Sequence, residues 1–515
     1  MIKKGNPKKS NVLFVFLKKL GTIRFIFLIY ILFTILMSLM LYWEVSHNPS
    51  KHISYLDALL LAASSFTTTG LSGVAVSEVF NMFGQILIAV CFILGGIGIF
   101  TFKLYIFQSL LGLRTNLFSG QIHQTERGGS NIYETKKMIK ISISFLIIIS
   151  ILFSLIFSLI FYYDNTALFS DEKMSQLNAL SKNNPWTFNP YEESIRNPYH
   201  NFGMSLRFGI FHTLSAINNA GLDIIGTKSL QPYYHNYYFL FLTSILFLIG
   251  GMGFPVFYDV WQKIKSIKKD NPRHCFTLFT KFTIITYIFT SLIGLLLTFI
   301  FETTAKGANY FWNSSEYGSI GDKVFAIYFQ TMSTRSAGFS TVNYYNFTQP
   351  TIMVHGILMF IGFSPVSTAG GIRNITVAII FMSIITLIKN RKNINAFHRQ
   401  IGKESLIKAV NIFAIAIFIT LIMTIVIYHT LPSDLKNVYN ESYPMVYVMF
   451  EVFSAFGNSG LNIGLTPNLG ITGKILLIIT MIVGQLGISQ FLKIFTFSKS
   501  KPQRYQYIYE DISIG

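Results

Sequence analysis

The sequence predicts an all-α integral membrane protein in which about eight transmembrane helices and four re-entrant half-helices form four copies of one unit. Three observations predict it: a shortage of charge, a series of long apolar runs, and a polar glycine motif that recurs four times. Of 515 residues, 51% are hydrophobic and 12% charged, whereas about a quarter of the residues in a soluble domain are charged.

The apolar runs come first. Those at 25–43, 141–162, 238–258, 276–301, 406–428 and 475–497, with 353–363 joined to 376–388, reach or approach the roughly 20 residues that cross a bilayer. An eighth, 80–107, is interrupted by glycines. The first run is longer than the apolar core of a signal peptide and is followed by Trp43 and Glu44, so it reads as a retained helix. Cys91 and Cys275 offer no disulfide framework.

A net charge of +19 would suggest nucleic acid if it covered a soluble surface, so its distribution matters. With both termini placed inside, the cytoplasmic segments hold 29 of the 41 Lys and Arg but only 7 of the 22 Asp and Glu. Basic residues gather on the cytoplasmic side of membrane proteins. Topology therefore accounts for the basicity, and no nucleic-acid partner is expected.

The repeat sets the architecture. Residues 65–71, 215–222, 333–339 and 454–461 each begin with Ser and end with Gly and an apolar residue, at Gly70, Gly221, Gly338 and Gly460. Each follows an apolar stretch of about a dozen residues, at 55–64, 205–214, 323–332 and 443–453, too short to cross a bilayer but long enough to enter and return. Each precedes a span broken by glycine, and the break begins 25, 29, 24 and 24 residues beyond the motif glycine. The unit is an outer helix (M1), a re-entrant pore helix, a polar strand and an inner helix (M2). The expected repeats are 24–107, 139–262, 276–388 and 405–497. Between them lie linkers 108–138, 263–275 and 389–404, flanked by a cytoplasmic segment 1–23 and tail 498–515.

Non-helical backbone at membrane depth is tolerated only where protein buries it or it lines a watery cavity. Four polar strands at one depth are therefore expected to converge, in pseudo-fourfold arrangement, on one pore. A cation that sheds water needs oxygen ligands, which rings of backbone carbonyls supply. Glycine permits the positive φ and close approach that this requires. The candidate filter is Thr67, Thr68, Thr69, Gly70, Asn218, Asn219, Ala220, Gly221, Ser336, Ala337, Gly338, Asn458, Ser459 and Gly460. The short polar side chains are expected to hydrogen-bond behind the strands.

These residues resemble the Trk/Ktr/HKT superfamily of K⁺ transporters over nearly the whole chain. The resemblance is carried by Asn218-Asn219-Ala220-Gly221 after Phe211-His212-Thr213, by Thr334-Arg335-Ser336-Ala337-Gly338-Phe339, and by Ser364-Pro365-Val366-Ser367-Thr368-Ala369-Gly370-Gly371-Ile372. With no helix pair before the first repeat, the chain looks more like the Ktr membrane subunit than the longer Trk form. The resemblance implies K⁺ as substrate, Na⁺ as a possible modulator, and a homodimer in the plasma membrane. It also implies a cytoplasmic nucleotide-binding ring as partner, so that any nucleotide acts only through another subunit. It further implies a gating loop at the broken third inner helix: Gly362, Phe363, Ser364, Pro365, Val366, Ser367, Thr368, Ala369, Gly370 and Gly371, faced by Gln485. Gln485 stands where the family usually has arginine, and Phe363 and Val366 where it has small residues. Lying 24 residues beyond Gly338, the loop is expected roughly one leaflet below the filter.

Other residues carry readings of their own. Gly98, Gly253 and Gly487 read as helix-packing glycines. Arg335 is expected to point away from the axis and brace the pore helices against Glu451, Asp322 or a carbonyl. His212 reads as a packed core histidine, and Asp223 either attracts cations at the outer mouth or is a solvated loop carboxylate. The basic run 263–269 reads as a positive-inside loop, with lipid or a partner as alternatives. A docking surface for the regulatory partner is expected on loops 104–140 and 389–403. Two competing functions remain, an ion-coupled secondary carrier and an intramembrane enzyme. The second lacks any grouping of His, Asp, Glu or Cys at one depth, and no covalent cofactor is expected.

Overall fold

The computed structural model describes residues 22–98, 132–164, 198–226, 229–267, 275–365, 367–432 and 444–495. The N-terminal segment 1–23 apart from its last two residues, linker 108–138 apart from its last residues, most of outer loop 165–200, residues 268 and 269 of the basic run 263–269, tail 498–515 and Val366 lie outside them.

Four long helices arise where the apolar character runs uninterrupted: α1 (Thr22–Tyr42), α4 (Ile132–Tyr163), α8 (Leu278–Thr303) and α12 (Lys403–His429). At about 1.5 Å per residue each spans a hydrocarbon core of about 30 Å. They are apolar on every side, and less than a third of each is buried within the chain. Leu36 on α1, Ile151 and Leu155 on α4, Leu296 on α8 and Phe418 on α12 are all exposed. Apolar surface on that scale belongs against lipid.

A short helix follows each long one: α2 (Tyr55–Phe66), α5 (Phe202–Ile217), α9 (Ile320–Ser333) and α13 (Met445–Gly457). Three have side-chain caps at their starts, from Ser54, Asn201 and Ser319, the last completing a capping box with Asp322. At 12 to 16 residues they are too short to cross. An apolar helix then returns from each: α3 (Met82–Ile97), α6 (Tyr237–Met252), α10 (Gln349–Phe360) and α14 (Ile471–Leu486).

These returning helices correct two expectations. The runs at 238–258 and 475–497 are not single spans, because α6 bends by 98° into α7 (Phe254–Ile267) and α14 by 106° into α15 (Ile488–Ile494). Nor are Gly98, Gly253 and Gly487 packing glycines. Each is a helix end with φ of 87°, 85° and 79°, a left-handed conformation that only glycine adopts freely. Among the described residues, four uninterrupted helices are long and apolar enough to cross, or six spans if each bent pair is one. After α10 the chain leaves helix and resumes in α11 (Asn374–Ile388), followed by a two-stranded hairpin of β1 (Asn395–Ala396) and β2 (Arg399–Gln400).

Packing closes on itself. Each long helix lies along its own short helix: α1 on α2, α4 on α5, α8 on α9 and α12 on α13. Each returning helix also touches the next short helix, α3 on α5, α6 on α9, α10 on α13, and finally α14 on α2. A partly buried ion pair fastens this last contact, Lys474 Nζ on α14 to Asp57 Oδ1 on α2 at 2.6 Å. Aromatic side chains fill the space between short and outer helices, with Phe157, Phe161, His212 and Phe239 in mutual edge-on and stacked contact. His212 is the packed histidine expected, its Nε2 2.9 Å from Thr243 Oγ1.

Candidate functional site: a cycle of four motifs and the loop beneath it

The four glycine motifs share one backbone course. The residue two before the glycine is left-handed in every copy, with φ of 53° at Thr68, 55° at Asn219, 65° at Ser336 and 48° at Asn458. The glycine is left-handed again, at 95°, 66°, 82° and 85° for Gly70, Gly221, Gly338 and Gly460. For β-branched Thr68 this is a strained conformation, held by bonds from its Oγ1 to the carbonyls of Thr67 (2.7 Å) and Thr368 (3.1 Å). The residue between the two turns its N–H back onto the short helix. Thr69, Ala220, Ala337 and Ser459 donate to the carbonyls of Ser64, Ser215, Ser333 and Ser454 at 2.8 to 3.0 Å.

With its N–H directed at the helix, each of these residues turns its carbonyl the other way, toward the glycine of the motif before it in the cycle. A Cβ placed on Gly70 would stand 2.4 Å from Ala220 O, one on Gly221 2.8 Å from Ala337 O, one on Gly338 2.3 Å from Ser459 O, and one on Gly460 2.1 Å from Thr69 O. The contacts run from first motif to second, third, fourth and back to first. Among the described residues no hydrogen bond reaches any of these four carbonyls. Only glycine fits at the four positions, because any Cβ would strike a neighbouring backbone.

Polar side chains support the strands from behind. Thr67 Oγ1 bonds Ala63 O at 2.8 Å and Thr69 Oγ1 at 2.7 Å. Asn218 donates to Leu214 O, Ser336 to Gly457 O and Ser459 to Thr334 O. Asn458 reaches across to Thr67 O at 2.6 Å and to Gln485 Oε1 at 3.3 Å. The returning helices approach through glycine, since a Cβ on Gly95, Gly250 or Gly484 would lie within 2.0 Å of the Phe66, Ile217 or Phe456 carbonyl. Beyond the second motif, Asp223 Oδ1 accepts from the N–H of Ile225 (3.0 Å) and Gly226 (3.4 Å). Burial raises this carboxyl and the N–H bonds and Ser229 lower it again, leaving it at about 6.

Arg335 is fully buried and points away from the cycle. Of the three partners expected for it, the carbonyls win: it donates to Leu358 O (2.9 Å), Ile361 O (2.6 Å) and Gly362 O (3.1 Å), and lies over the Tyr287 ring. The end of a helix leaves its last carbonyls without partners, and a cation there completes α10. Glu451 is engaged elsewhere, accepting from Ile463 N, Leu465 N and Thr466 Oγ1, while Asp322 caps α9.

The segment from Ile361 to Arg373 does not lie a leaflet below the motifs. It touches them: Thr68 donates to Thr368 O, Thr368 Oγ1 donates to Gly250 O at 3.3 Å, and Gly370 packs against the Asn458 side chain. The 24-residue separation misleads because the chain first runs away from the motif through residues 341–347 and only then descends through the 12-residue α10. The segment's own polar groups are met by protein. Ile372 N bonds Phe360 O, Asn374 N bonds Phe363 O, Ser364 Oγ bonds Pro365 O, and Ser367 Oγ bonds Ser364 O. Gly362 and Gly370 meet closely, since a Cβ on the first would lie 1.9 Å from the carbonyl of the second. Phe363 fills the space between Tyr287, at 4.1 Å between ring centroids, and Gly251, while Ala369 and Gly371 are buried beside it. Arg373, missed from sequence as a contact of this region, donates to Ala369 O and to Gln485 O.

The chain matches the TrkH family, described as cation transport proteins, over residues 22–506. It is 32% identical to a protein of Mycoplasma genitalium described as an uncharacterized cation transporter, across 92% of this chain and 90% of that protein. It is 28% identical to the Ktr system potassium uptake protein D of Bacillus subtilis, across 97% and 98% of the two chains. In fold it is similar to the crystal structure of the potassium transporter TrkH from Vibrio parahaemolyticus, with a TM-score of 0.63 at 17% identity over 96% of this chain and 87% of that one. Apolar helices that expose most of their surface, a closed packing of short and long helices, and a family match across nearly the whole length agree: this is a membrane protein that belongs to the TrkH family of cation transport proteins, not to an enzyme family.

Proposed function

We propose that the chain is the membrane subunit of a K⁺ uptake system and conducts monovalent cations through the middle of the four-motif cycle. One observation carries the reading: four carbonyls with no hydrogen-bond partner among the described residues, each against the preceding motif's glycine, form a closed circuit. Buried carbonyls seek partners, and a cation stripped of water seeks oxygens. Each short helix ends directly before its motif, so the negative ends of their dipoles favour a cation there. The potassium named for the relatives supports K⁺ as the cation; a modulating role for Na⁺ is part of the same reading.

In this reading each quarter is an M1, a pore helix, a filter strand and an M2, within the boundaries expected from sequence. The segment 362–371 is the gate, Gln485 faces it, and both termini are cytoplasmic in the plasma membrane. The functional unit is a homodimer governed by a cytoplasmic nucleotide-binding ring. Cation flux into proteoliposomes holding only the purified chain tests the core of the proposal, with K⁺ and Rb⁺ expected to pass ahead of Na⁺. Gly221→Ser and Gly460→Ser should erode that preference. A side chain at positive φ costs about 1–2 kcal/mol, and the Cβ would also strike Gly338 Cα or Thr69 O. An unchanged K⁺/Na⁺ preference after serine substitution at each of the four glycines would defeat the filter.

A further inference from the structure

We propose that α7 is an interfacial helix, lying in the headgroup boundary of the leaflet at which α4 and α8 begin. Val260, Ile264 and Ile267 enter the acyl region and Trp261 stays at headgroup level, so the partner is the bilayer surface itself. The chain reaches this position because Gly253 turns it by 98° out of α6, and α7 runs across the direction of α6 and not along it.

One face of α7 is apolar along its whole length but buried only at its start. Phe257, Val260, Ile264 and Ile267 fall at i, i+3, i+7 and i+10, which is a single helix face. Phe257 is buried against α4, its ring 5.2 Å from that of Phe145. Val260, Ile264 and Ile267 are exposed, at 37%, 51% and 58%. A row of bare aliphatic side chains calls for a covering, and its depth says which. Asp259 on α7 accepts from Thr277 N at 2.8 Å and from Thr277 Oγ1 at 3.0 Å, and Thr277 is the N-cap of α8. The middle of α7 is thereby held at the level where α8 enters the membrane. Phe145 gives the same level on α4, because it touches Phe257 and is itself part of the exposed apolar surface of that helix. The apolar face of α7 thus continues a surface that already faces lipid.

The flank of that face has the chemistry of the headgroup layer. Trp261 stacks on Tyr258, with centroids 5.9 Å apart and planes at 19°. The ammonium groups of Lys137 and Lys265 lie 5.7 and 5.1 Å from the Trp261 ring. Tryptophan and tyrosine collect at the membrane surface because an apolar ring there keeps its polar N–H or O–H wet, and lysine carries its charge outward on an apolar stem. Helices of this kind sink their apolar face about 5–10 Å into the boundary. A soluble partner would have to cover the row at a depth that α4 and α8 assign to the bilayer. Holding α7 there also fixes the end of α6, whose Gly250 O accepts from Thr368 and whose Gly251 meets Phe363. The position of α7 does not depend on the transport reading.

Fluorescence of Trp261 tests the depth. The chain has four tryptophans, so Trp43→Phe, Trp186→Phe and Trp312→Phe together leave Trp261 as the single emitter. The full chain is reconstituted in phosphatidylcholine brominated near either the headgroup end or the methyl end of its acyl chains. Quenching by the shallow label is expected to exceed that by the deep label about twofold or more, with little quenching by aqueous acrylamide. Should the triple variant fail to fold, nitroxide labels replace it in a chain carrying only Cys275→Ser, since Cys91 is buried. A label on Ile264→Cys should collide with dissolved oxygen more than with a water-soluble nickel chelate, and a label on Lys265→Cys the reverse. Strong acrylamide quenching with none from either lipid, or an Ile264→Cys label open to the chelate, overturns the proposal by placing the row in water. Stronger quenching by the deep label overturns it by placing α7 within the span. Protection from every quencher overturns it as well, by assigning the covering to protein such as a second copy of the chain.

Discussion

The third returning helix and its three counterparts solve the same geometric problem in different ways. α3, α6 and α14 each end on a single left-handed glycine, and α6 and α14 resume at once in a helix of new direction. In the third, α10 ends at Phe360 and helix resumes only at Asn374. The intervening segment is tied to every quarter of the molecule: to Thr68, to Gly250, to Arg335, and through Gly370 and Arg373 to Asn458 and Gln485. A one-residue bend satisfies its backbone locally, whereas a broken helix at membrane depth must find partners in neighbouring elements. The difference teaches that the third segment can move only by breaking contacts with all four quarters of the molecule together.

The contrast can be broken most severely by removing residues 364–369. If the segment occludes the pathway, basal flux should rise on the order of tenfold, within the span of ordinary coupling energies, with K⁺ preference intact. A folded deletion variant with wild-type flux in proteoliposomes would reduce the segment to a passive kink. Next in size is a paired comparison of Gly362→Ala with Gly487→Ala. At Gly487 nothing stands within 4 Å of an added Cβ, so only the strain of positive φ, about 1–2 kcal/mol, is expected. At Gly362 the Cβ would overlap Gly370 O, so the segment must shift. Thermal unfolding followed by size-exclusion chromatography should show the larger loss for Gly362→Ala, and only that variant should leak.

Thr68→Val is milder. It removes the hydroxyl that joins the first motif to Thr368 O and so should cost about 1 kcal/mol and raise basal flux a few-fold. Flux equal to wild type would mean that this tie does not restrain the segment. The smallest effect is expected on the opposite side of the cycle, at Asp223. Its carboxyl lies at about 6, raised by burial, so it is charged above that pH and neutral below it. If it concentrates cations at the outer mouth, uptake at limiting K⁺ should fall about twofold as external pH drops through 6, and Asp223→Asn should be low and flat throughout. A wild-type profile without that step would leave Asp223 as the brace of its own turn, through Ile225 and Gly226.

Much of this was legible in the sequence because it is local. The long helices follow from uninterrupted apolar runs, and the short helices with their glycine turns follow from a motif written four times. The misreadings also have local causes. Glycines 98, 253 and 487 sit in apolar context like packing glycines, and composition gives no sign that their φ is positive. The Arg335 partner was open because Glu451, Asp322 and a carbonyl are equally plausible along the chain. Burial decided among them, since Glu451 is already engaged by two backbone N–H groups and Thr466.

The sequence by itself determined the long apolar helices, the short helices that follow them, and the four motif turns with glycine at each. Periodicity, hydropathy and the steric rules of single residues act over a few positions. Only the tertiary structure decided that the turns meet, which carbonyl faces which glycine, and that the broken helix lies against the motifs and not a leaflet away. Those outcomes rest on contacts such as Asn458 with Thr67, 391 residues apart, and Lys474 with Asp57, 417 apart. No local preference encodes such pairs, because each becomes favourable only once the long helices have packed and removed the alternatives from water.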